Sequence, residues 1–311
     1  SLRSPDNPNP DGIRKYLKEF LSDKRIIKIS RLIWLPILYL IILNIRPYKK
    51  THDYKKIWMK DGSPLLVITK KLLNLIKKEN NNDNFIYSIA MRYGNPSIKD
   101  KLNEFKNMGI EKIIILPMFP QYSYSTTESI RDDVISSLKD LQWQPEVKFV
   151  NEYYNNDLFV ESIVNKIKNS WQNKSSQFII FTYHGLPQKY VKQGDPYYSS
   201  CLKTTALISN KLKLNEKNFI TSFHSKFGFG NWTKPYTEDL LLELPKKGIK
   251  NISIISPTFS IDCLETLEEI EIQFKEEFLK AGGKKFDYIS CLNDSLDHVK
   301  LIKNLVEKNL I

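Results

Sequence analysis

The chain has 311 residues, of which 41% are hydrophobic, so it is long enough for one large or two medium domains with their own cores. Its three cysteines, Cys201, Cys263 and Cys291, are too few and too scattered for a disulfide scaffold and include no Cys-x-x-Cys pair for structural zinc. The net charge of +12 comes without an Arg-rich tract or nucleic-acid motif, which favours a Lys-rich surface over nucleic-acid binding. Because the cysteines are few and scattered, a reducing, cytoplasmic location is expected.

The first half of the chain alternates between the two kinds of regular structure. Helical spacing of apolar residues predicts helices over residues 12–20, 65–77, 98–108 and 129–141. Short apolar runs predict strands over residues 85–92, 112–116 and 147–151. Alternation of this kind predicts a mostly parallel sheet flanked by helices.

Residues 32–45 form the most apolar stretch of the chain. The stretch is shorter than the ~20 residues of a spanning helix, and Pro36 interrupts it. It suits either a buried helix or an exposed apolar lip that touches a membrane or covers a ligand. Aromatic and basic residues suited to an interface lie in it and at its edges, namely Arg31, Trp34, Tyr39, Arg46, Lys49 and Lys50.

The second half repeats the same plan. Predicted helices cover residues 158–171, 197–211, 265–281 and 295–308, with a turn and helix over 232–244, and predicted strands cover 178–182, 218–223, 252–256 and 288–291. We expect an α/β protein with an N-terminal domain over residues 1–152 and a C-terminal domain over 153–311. The last helix is a candidate for packing back on the first domain.

Two predicted strands end in polar residues that can carry chemistry. His184 follows the apolar run 178–182, and Glu265 lies beyond the run 252–256. In open α/β sheets ligands bind at the carboxyl ends of the strands, so the two residues are expected at one crevice. A neutral imidazole accepts protons, and a carboxylate is a hard metal ligand. Glycine-rich phosphate-binding motifs and a Gly-x-Ser-x-Gly elbow are absent, which excludes the commonest nucleotide and hydrolase uses of the fold class.

The other histidines differ in setting. His224 also ends a predicted strand, and a structural and a functional role both stay open for it. His52 and His298 lie in polar surroundings and are expected to be solvated.

Acidic residues recur in the predicted helix 265–281. Glu265, Glu269 and Gln273 fall at i, i+4 and i+8, which is one face of an α-helix. A solvated acidic face is the ordinary explanation, and a path for a hard divalent cation is the alternative. Asp262, just before this helix, is a candidate N-cap.

Several collinear motifs span nearly the whole chain. They are Ser4-Pro5-Asp6, Lys55-Lys56-Ile57 with Gly62-Ser63-Pro64, Met91-Arg92-Tyr93-Gly94-Asn95-Pro96, residues 117–127, Tyr183-His184-Gly185-Leu186-Pro187 with Gly194-Asp195-Pro196-Tyr197, Trp232-Thr233-Lys234-Pro235, and Asp262-Cys263-Leu264-Glu265-Thr266-Leu267. Together they resemble the ferrochelatase family, which performs the terminal step of haem synthesis.

The resemblance implies two Rossmann-like domains with a porphyrin cleft between them, and insertion of Fe²⁺ into protoporphyrin IX. The family histidine falls on His184, as base or metal ligand, and the family glutamate falls on Glu265, which would position His184, bind metal or pass protons. Glu269 matches a further acidic position. The porphyrin loses two pyrrolic protons as the metal enters, so a base helps, and the site should bind the macrocycle bent.

The resemblance also suggests which residues line the cleft. Candidates for the apolar walls are Phe119, Tyr124, Trp232 and Phe259. Candidates for propionate or cleft-lining contacts are Lys55, Lys56, Ser63, Arg92 and Tyr93. Residues 31–47 become a lip of the cleft beside the membrane that supplies an apolar substrate, which implies peripheral association with the inner membrane.

The chain departs from the family pattern at several positions. Arg3 stands where the family usually has Gly, in the turn after a first strand that is absent here. A side chain at this position would crowd the cleft or strain the turn, so this departure puts the folding or activity of the chain in doubt. Cys263 takes the place of a histidine of animal members, but bacterial members often have Cys, so it receives no metal role. Gln273 replaces an acid of some members. Because the chain ends at Ile311 without a Cys-rich extension, no iron–sulfur cluster is expected, and Fe²⁺ is a substrate with no cofactor required.

Three alternatives remain beside this interpretation. Coproporphyrin III could replace protoporphyrin IX as the substrate. The protein could bind porphyrin or haem without catalysis. In the third alternative, the protein is a basic α/β protein that binds an anionic polymer. Salt-sensitive nucleic-acid binding would support this alternative. The sequence assigns no oligomeric state.

Overall fold

The computed structural model describes residues 5–79, 85–171, 178–226 and 230–310. The chain divides into two compact units. Unit 1 comprises Ser1–Phe119, Ser123–Asn151 and Ile302–Ile311, and unit 2 comprises Pro120–Tyr122 and Glu152–Leu301. Arg3, at the departure from the family pattern, lies outside the described residues.

Unit 1 contains six α-helices and a parallel pair of strands among its described residues up to Asn151. The helices are α1 (Pro10–Leu21), α2 (Arg31–Ile37), α3 (Leu43–Ile57), α4 (Pro64–Glu79), α5 (Ile98–Asn107) and α6 (Thr127–Asp140). The strands β1 (Lys112–Ile115) and β2 (Glu146–Phe149) pair in parallel from Lys112 opposite Glu146 to Ile115 opposite Phe149.

The start of α1 shows how local sequence sets an element. The side chain of Asn9 accepts a hydrogen bond from the Gly12 N–H at 2.8 Å, and Pro10 occupies the first helical position, where its missing N–H has no consequence. Ile13, Tyr16 and Leu17 are buried on one face, as the predicted spacing requires.

The predicted strand over residues 85–92 is wrong. Residues 85–90 have no regular secondary structure, and Met91 forms only an isolated bridge with Ser97. A run of apolar and aromatic residues predicts a strand from its own composition, but a strand also needs a neighbouring strand for its hydrogen bonds. Among the described residues, this stretch has no such ladder.

The apolar stretch 32–45 belongs to a helix that runs from Arg31 to Ile57, 27 residues long. A π-helical turn, Leu38–Ile42, separates α2 from α3. Pro47 lacks the N–H that would bond the Leu43 carbonyl, and Arg14 Nε donates to that carbonyl instead at 3.0 Å. The helix is mostly exposed, with Leu32 at 89% and Leu40 at 73% of full exposure, so the buried-helix alternative is wrong.

Unit 2 continues the alternation of helices and strands. Its elements are α7 (Asp157–Trp171), β3 (Phe178–His184), α8 (Gln188–Lys192), α9 (Tyr197–Leu212), a 3₁₀ turn (Glu216–Asn218), β4 (Phe219–His224), α10 (Thr237–Glu243), β5 (Asn251–Ile255), a π-helix (Glu265–Phe274), α11 (Lys275–Lys280), β6 (Lys285–Ile289) and the start of α12 (Leu296–Lys308). The end of α12 belongs to unit 1, where Lys303 Nζ donates to the Glu79 carbonyl at 2.9 Å.

The four strands of unit 2 form one parallel sheet in the order β4-β3-β5-β6. Ile180, Ile252 and Ile254 of the sheet are fully buried against residues of the following helices, which include Leu241, Ile270, Phe274 and Phe278. Strands covered by helices are apolar along their whole length, which is why these runs do not alternate. All four carboxyl ends lie at one edge of the sheet, so this edge positions the site. The predicted α/β class with parallel sheets flanked by helices is confirmed.

Candidate active site

Two histidines meet at the carboxyl edge of the unit 2 sheet. His184 is the last residue of β3 and pairs in register with His224, the last residue of β4. Their ring centroids lie 6.0 Å apart, in an edge-to-face arrangement. Phe259, in the loop after β5, contacts both rings, with its centroid 6.4 Å from that of His184 and 6.2 Å from that of His224. The predicted site residues His184 and Phe259 are thus brought together.

The backbone around Gly185 determines the tautomer of His184. His184 Nδ1 lies 2.8 Å from the Gly185 carbonyl oxygen, which can only accept, so Nδ1 carries the proton and Nε2 carries the lone pair of the neutral ring. The Gly185 N–H in turn donates to the His224 carbonyl at 2.7 Å. A Cβ at Gly185 would lie 2.9 Å from that oxygen and 3.2 Å from Cε3 of Trp232. The absence of a side chain therefore lets the His224 carbonyl and the Trp232 indole close around the peptide that orients His184.

His224 is buried, with 1% of its surface exposed. Its Nδ1 lies 2.9 Å from Thr182 Oγ1, which lies 2.7 Å from Thr237 Oγ1, which lies 2.9 Å from Ser222 Oγ. Burial, reinforced by neighbouring His184, holds the pKa of His224 well below its ordinary value. The ring is therefore neutral at physiological pH.

The acidic residues lie on a π-helix and not on the predicted α-helix. Glu265 is the first residue of the π-helix and is buried, with 7% exposure. Ser225 Oγ, from a residue with φ of 60°, donates to Glu269. Gln273 Nε2 donates to Glu268 Oε2, five residues earlier, at 2.5 Å. A π-helix has a wider turn than the predicted α-helix, and π-turns are frequent at functional sites.

Asp262 does not cap this helix. Its carboxylate accepts hydrogen bonds from the Tyr288 hydroxyl, from Asn293 Nδ2 at 2.7 Å and from the Cys291 N–H at 3.3 Å. Asp262 therefore ties the loop after β5 to the end of β6. The N-cap position of the π-helix is Leu264 instead.

Arg92 and Tyr93, predicted as cleft residues, belong to a cluster within unit 1. Asp23 Oδ2 accepts from Arg92 Nη2 at 2.8 Å, from the Tyr93 hydroxyl at 2.6 Å and from Ser129 Oγ at 2.6 Å. Arg92 Nε also donates to the Ser129 carbonyl at 2.9 Å. These contacts occupy both side chains inside unit 1, and a substrate contact for them stays a prediction. The sequence contains no pattern that singles out Asp23 or Ser129.

The remaining predicted residues have diverse settings. Ser63 is buried and its Oγ accepts from the Leu66 N–H at 3.4 Å, at the start of α4. Lys28 Nζ lies 5.5 Å from the ring centroid of Tyr124. Phe119 is buried, and Lys55 and Lys56 are exposed in the last turn of α3. In unit 2, the Trp232 N–H points to the Tyr236 hydroxyl at 3.4 Å, and Gly185 lies against the indole.

His52 is exposed as predicted, whereas the prediction for His298 is wrong. His298 is fully buried, and its Nδ1 lies 2.6 Å from the Asn293 carbonyl oxygen. Its position on the inner face of α12 overrides its polar neighbours in the sequence. Within the described ranges, no group of three or more His, Cys, Asp or Glu side chains is arranged to hold a metal ion.

Comparison with known proteins gives a consistent result. A family model described as Ferrochelatase matches residues 1–310. A protein named Ferrochelatase from Wigglesworthia glossinidia brevipalpis is 45% identical over 312 residues, covering 100% of this chain and 97% of that one. A Ferrochelatase from Francisella tularensis subsp. holarctica (strain OSU18) is 44% identical over 316 residues, covering 100% and 94%. The solved structure of SirB from Bacillus subtilis with Fe³⁺ has a TM-score of 0.57 at 13% identity, covering 78% of this chain and 88% of that one, a likeness of fold alone.

Proposed function

The chain belongs to the ferrochelatase family, and we propose that it inserts Fe²⁺ into protoporphyrin IX to form protohaem. Family membership makes the protein a metal chelatase, a ferro-lyase of haem synthesis whose substrates are a porphyrin and ferrous iron. The observation that supports the proposed chemistry is His184 at the carboxyl edge of the sheet, with its Nδ1 bonded to the Gly185 carbonyl. In this tautomer the lone pair lies on Nε2, and we propose that Nε2 is the atom that faces the substrate.

His184 is proposed as the base of the reaction. Metal insertion replaces two pyrrolic N–H protons by bonds to the metal, so a group that takes up protons lowers the barrier. A neutral imidazole does this near pH 7, because its ordinary pKa lies in that range. Glu265, buried at the first turn of the π-helix, is proposed to bind the incoming cation or receive protons. Glu269 is proposed as a further acidic position, anchored by Ser225.

The aromatic residues beside His184 are proposed to hold the macrocycle. Phe259 contacts the His184 ring, and Trp232 lies against Gly185. Aromatic surfaces bind a flat apolar ring, and contacts that fit a bent macrocycle expose its nitrogen lone pairs to the metal. Apolar vinyl groups suit these surroundings, which favours protoporphyrin IX over coproporphyrin III, in which propionates replace the vinyl groups. Exposed Lys55 and Lys56 remain candidates for propionate contacts.

We further propose that Fe²⁺ is a substrate and that the reaction needs no resident cofactor or iron–sulfur cluster. Among the described residues, Cys201, Cys263 and Cys291 are buried and form no disulfide. Burial raises the pKa of Cys201 and Cys291 well above the ordinary thiol value, and a protonated thiol is a poor cluster ligand.

The test is anaerobic Fe²⁺ insertion into each of the two porphyrins, followed by the absorption bands of the macrocycle. We expect turnover with protoporphyrin IX and a fall of about 100-fold or more in His184→Ala and Glu265→Gln, because general base catalysis typically contributes 10²–10⁴. His52→Ala, which changes an exposed histidine of α3, should retain activity. Faster turnover of coproporphyrin III would reject the substrate assignment, and tight porphyrin binding without metal insertion would reject catalysis.

The helix Arg31–Ile57 is proposed to lie on the cytoplasmic face of the inner membrane. By length and composition alone this helix could cross a membrane. Its outward residues Leu32, Ile33, Leu40 and Ile41 are more than half exposed, and Lys and Arg residues flank them. Exposed apolar side chains with basic neighbours are typical of helices that lie in a membrane interface. Peripheral binding would bring the protein to the phase that holds its apolar substrate.

Vesicle co-sedimentation tests this location. The double variant Leu32→Ser, Leu40→Ser should bind vesicles of phosphatidylglycerol and phosphatidylethanolamine at least about tenfold more weakly, because each exposed Leu contributes up to about 1.5–3 kcal/mol when buried. The control Ile135→Ser, Leu242→Ser changes apolar residues that are 56% and 48% exposed elsewhere and should bind as the parent does. Equal binding by both double variants would exclude the helix as the membrane contact.

A further inference from the structure

His224 is a buried polar residue that the proposed chemistry does not use. It is 1% exposed, and its Nδ1 is bonded to Thr182 Oγ1 at 2.9 Å. Its Nε2 is also buried and has no hydrogen-bond partner among the described residues. Buried polar atoms in native proteins are nearly always paired with protein or with ordered water, because an unpaired one is costly. The Nε2 atom therefore indicates a partner that is not part of the described chain.

The position of Thr182 shows on which side this partner lies. Thr182 precedes His184 by two residues on β3, and it pairs in register with Ser222, two residues before His224. Thr182 thus lies further inside the sheet than the two histidines. Nδ1 of His224 faces Thr182, and the bonding direction of Nε2, on the other side of Cε1, points largely away from Thr182. This direction leads from the sheet interior towards the carboxyl edge. The rings around His224 are those of His184, Phe259 and Phe274, with centroids 6.0 Å, 6.2 Å and 6.3 Å away.

The hydroxyl groups next to His224 leave both of its neutral tautomers open. Thr182, Thr237 and Ser222 form a chain of hydroxyls, each of which can donate or accept. Nε2 is consequently a donor in one tautomer and an acceptor in the other. A water molecule can bond Nε2 in both cases, whereas a metal ion can bond only the lone pair. Water therefore fits this position better than a metal ion does.

Building on the proposed function, we propose that His224 is a positioning residue of the metal-insertion site and that its Nε2 holds a water molecule beside His184. The water places a polar molecule beside the His184 imidazole, and its dipole can orient towards that ring, whereas the ring of Phe259 on the same side is apolar. When His184 takes up a pyrrolic proton, this water stabilises the charge that develops on the imidazole. No bond to the water is broken and no proton passes to His224.

Two substitutions of His224 separate hydrogen bonding from other roles. His224→Leu fills the space without a polar atom and should lower kcat about tenfold, equivalent to ~1.4 kcal/mol, with the KM for porphyrin unchanged. His224→Gln carries an amide that can donate and accept, so it should keep kcat within about threefold of the parent. The change in kcat without a change in KM is expected because the water acts on the charge formed during reaction.

His298 provides a matched control for the loss of a buried imidazole. It is fully buried in unit 2, bonds the Asn293 carbonyl through Nδ1, and also has an Nε2 without a partner among the described residues. His298→Leu should lower the thermal midpoint and leave kcat unchanged. An equal loss of kcat in His298→Leu would assign the effect to general destabilisation and overturn the proposal. A loss of kcat in His224→Gln as large as that in His224→Leu would show that the imidazole itself is needed. That result would also overturn the proposal.

A crystal structure of the parent protein, at a resolution that shows ordered water, tests the proposal without turnover. We expect a water peak within about 3.2 Å of His224 Nε2, on the side of His184, and none there in His224→Leu. A direct metal bond to Nε2 in crystals soaked with Co²⁺, or an Nε2 with no partner at all, would overturn the proposal. A parent that holds this water but inserts no iron would instead contradict the proposed function alone.

Discussion

Replacing Asp23 by Asn removes the negative charge from the buried cluster around Arg92 in unit 1. The Asp23 side chain is 6% exposed and that of Arg92 is 19% exposed, so water screens the pair poorly. Asp23 Oδ2 also accepts hydrogen bonds from the hydroxyls of Tyr93 and Ser129, both at 2.6 Å. The carboxylate thus holds together three segments of the unit, and its loss should be felt in stability.

The expected loss of stability depends on the partners that Arg92 retains when Asp23 is replaced. Removing one partner of a buried ion pair typically costs about 3–5 kcal/mol, because it leaves an uncompensated charge. Here Arg92 retains Asp133, with Nη1 3.5 Å from Oδ2, and the Ser129 carbonyl at 2.9 Å. Asparagine also keeps one oxygen as an acceptor. We therefore expect Asp23→Asn to lower the free energy of unfolding by about 2–3 kcal/mol, and the thermal midpoint by about 4–12 °C.

The effect should depend on pH with a defined sign. Burial alone raises the pKa of Asp23, but hydrogen bonds from Ser129, Tyr93 and the Arg25 N–H, together with the charge of Arg92, outweigh it and lower the pKa below its ordinary value. A carboxyl whose folded pKa is depressed contributes its full stability above about pH 4 and loses it as the pH falls through the folded value. The difference between parent and variant should be full at pH 7 and shrink below about pH 4.

Urea denaturation followed by fluorescence and circular dichroism measures the difference. Asp132→Asn is the control, because Asp132 pairs with Arg25 at 2.7 Å on the surface, where the side chains are 48% and 37% exposed. Such a pair contributes about 0–1 kcal/mol. If Asp23→Asn is no more destabilising than Asp132→Asn, or if its effect persists at low pH, the reasoning from the buried charge cluster is wrong.

Two further predictions concern unit 2. Gly283→Ala should lower the free energy of unfolding by about 1–3 kcal/mol, measured by urea denaturation, since overpacking a core forces its side chains to shift. A Cβ at position 283 would lie 2.3 Å from the ring of the fully buried Phe278. The control Gly109→Ala meets no atom within 4 Å and adds only backbone strain at φ +71°. Equal losses of unfolding free energy in the two variants would contradict the packing argument. For His298, burial lowers the pKa to about 4. Since the unfolded ring takes up a proton near pH 6.5, stability from this residue should be full above that pH and be lost towards pH 4. A proton NMR titration that shows this ring charging near pH 6.5 in the folded protein would contradict the burial argument.

The sequence predicted the parts of the fold that depend on local pattern. The apolar runs of β3, β4 and β5 and the helices between them were recognisable, because periodicity and turn residues are properties of neighbouring positions. His184 and Glu265 were identified as strand-end residues for the same reason. The prediction of a strand over residues 85–92 was wrong, because a strand needs a partner strand elsewhere in the chain. The catalytic roles of His184 and Glu265, and the roles of the proposed porphyrin contacts, stay predictions.

Features that join distant residues required the tertiary structure. Asp23 meets Arg92 and Ser129 across 69 and 106 positions of sequence, and no local pattern marks such a meeting. The register that sets His184 opposite His224, and the π-helix in place of an α-helix at Glu265, likewise depend on packing. Composition and periodicity thus determined which elements form and where polar residues leave them. Only the packed chain decided which side chains touch, because burial and pairing arise from contacts between segments and not along them.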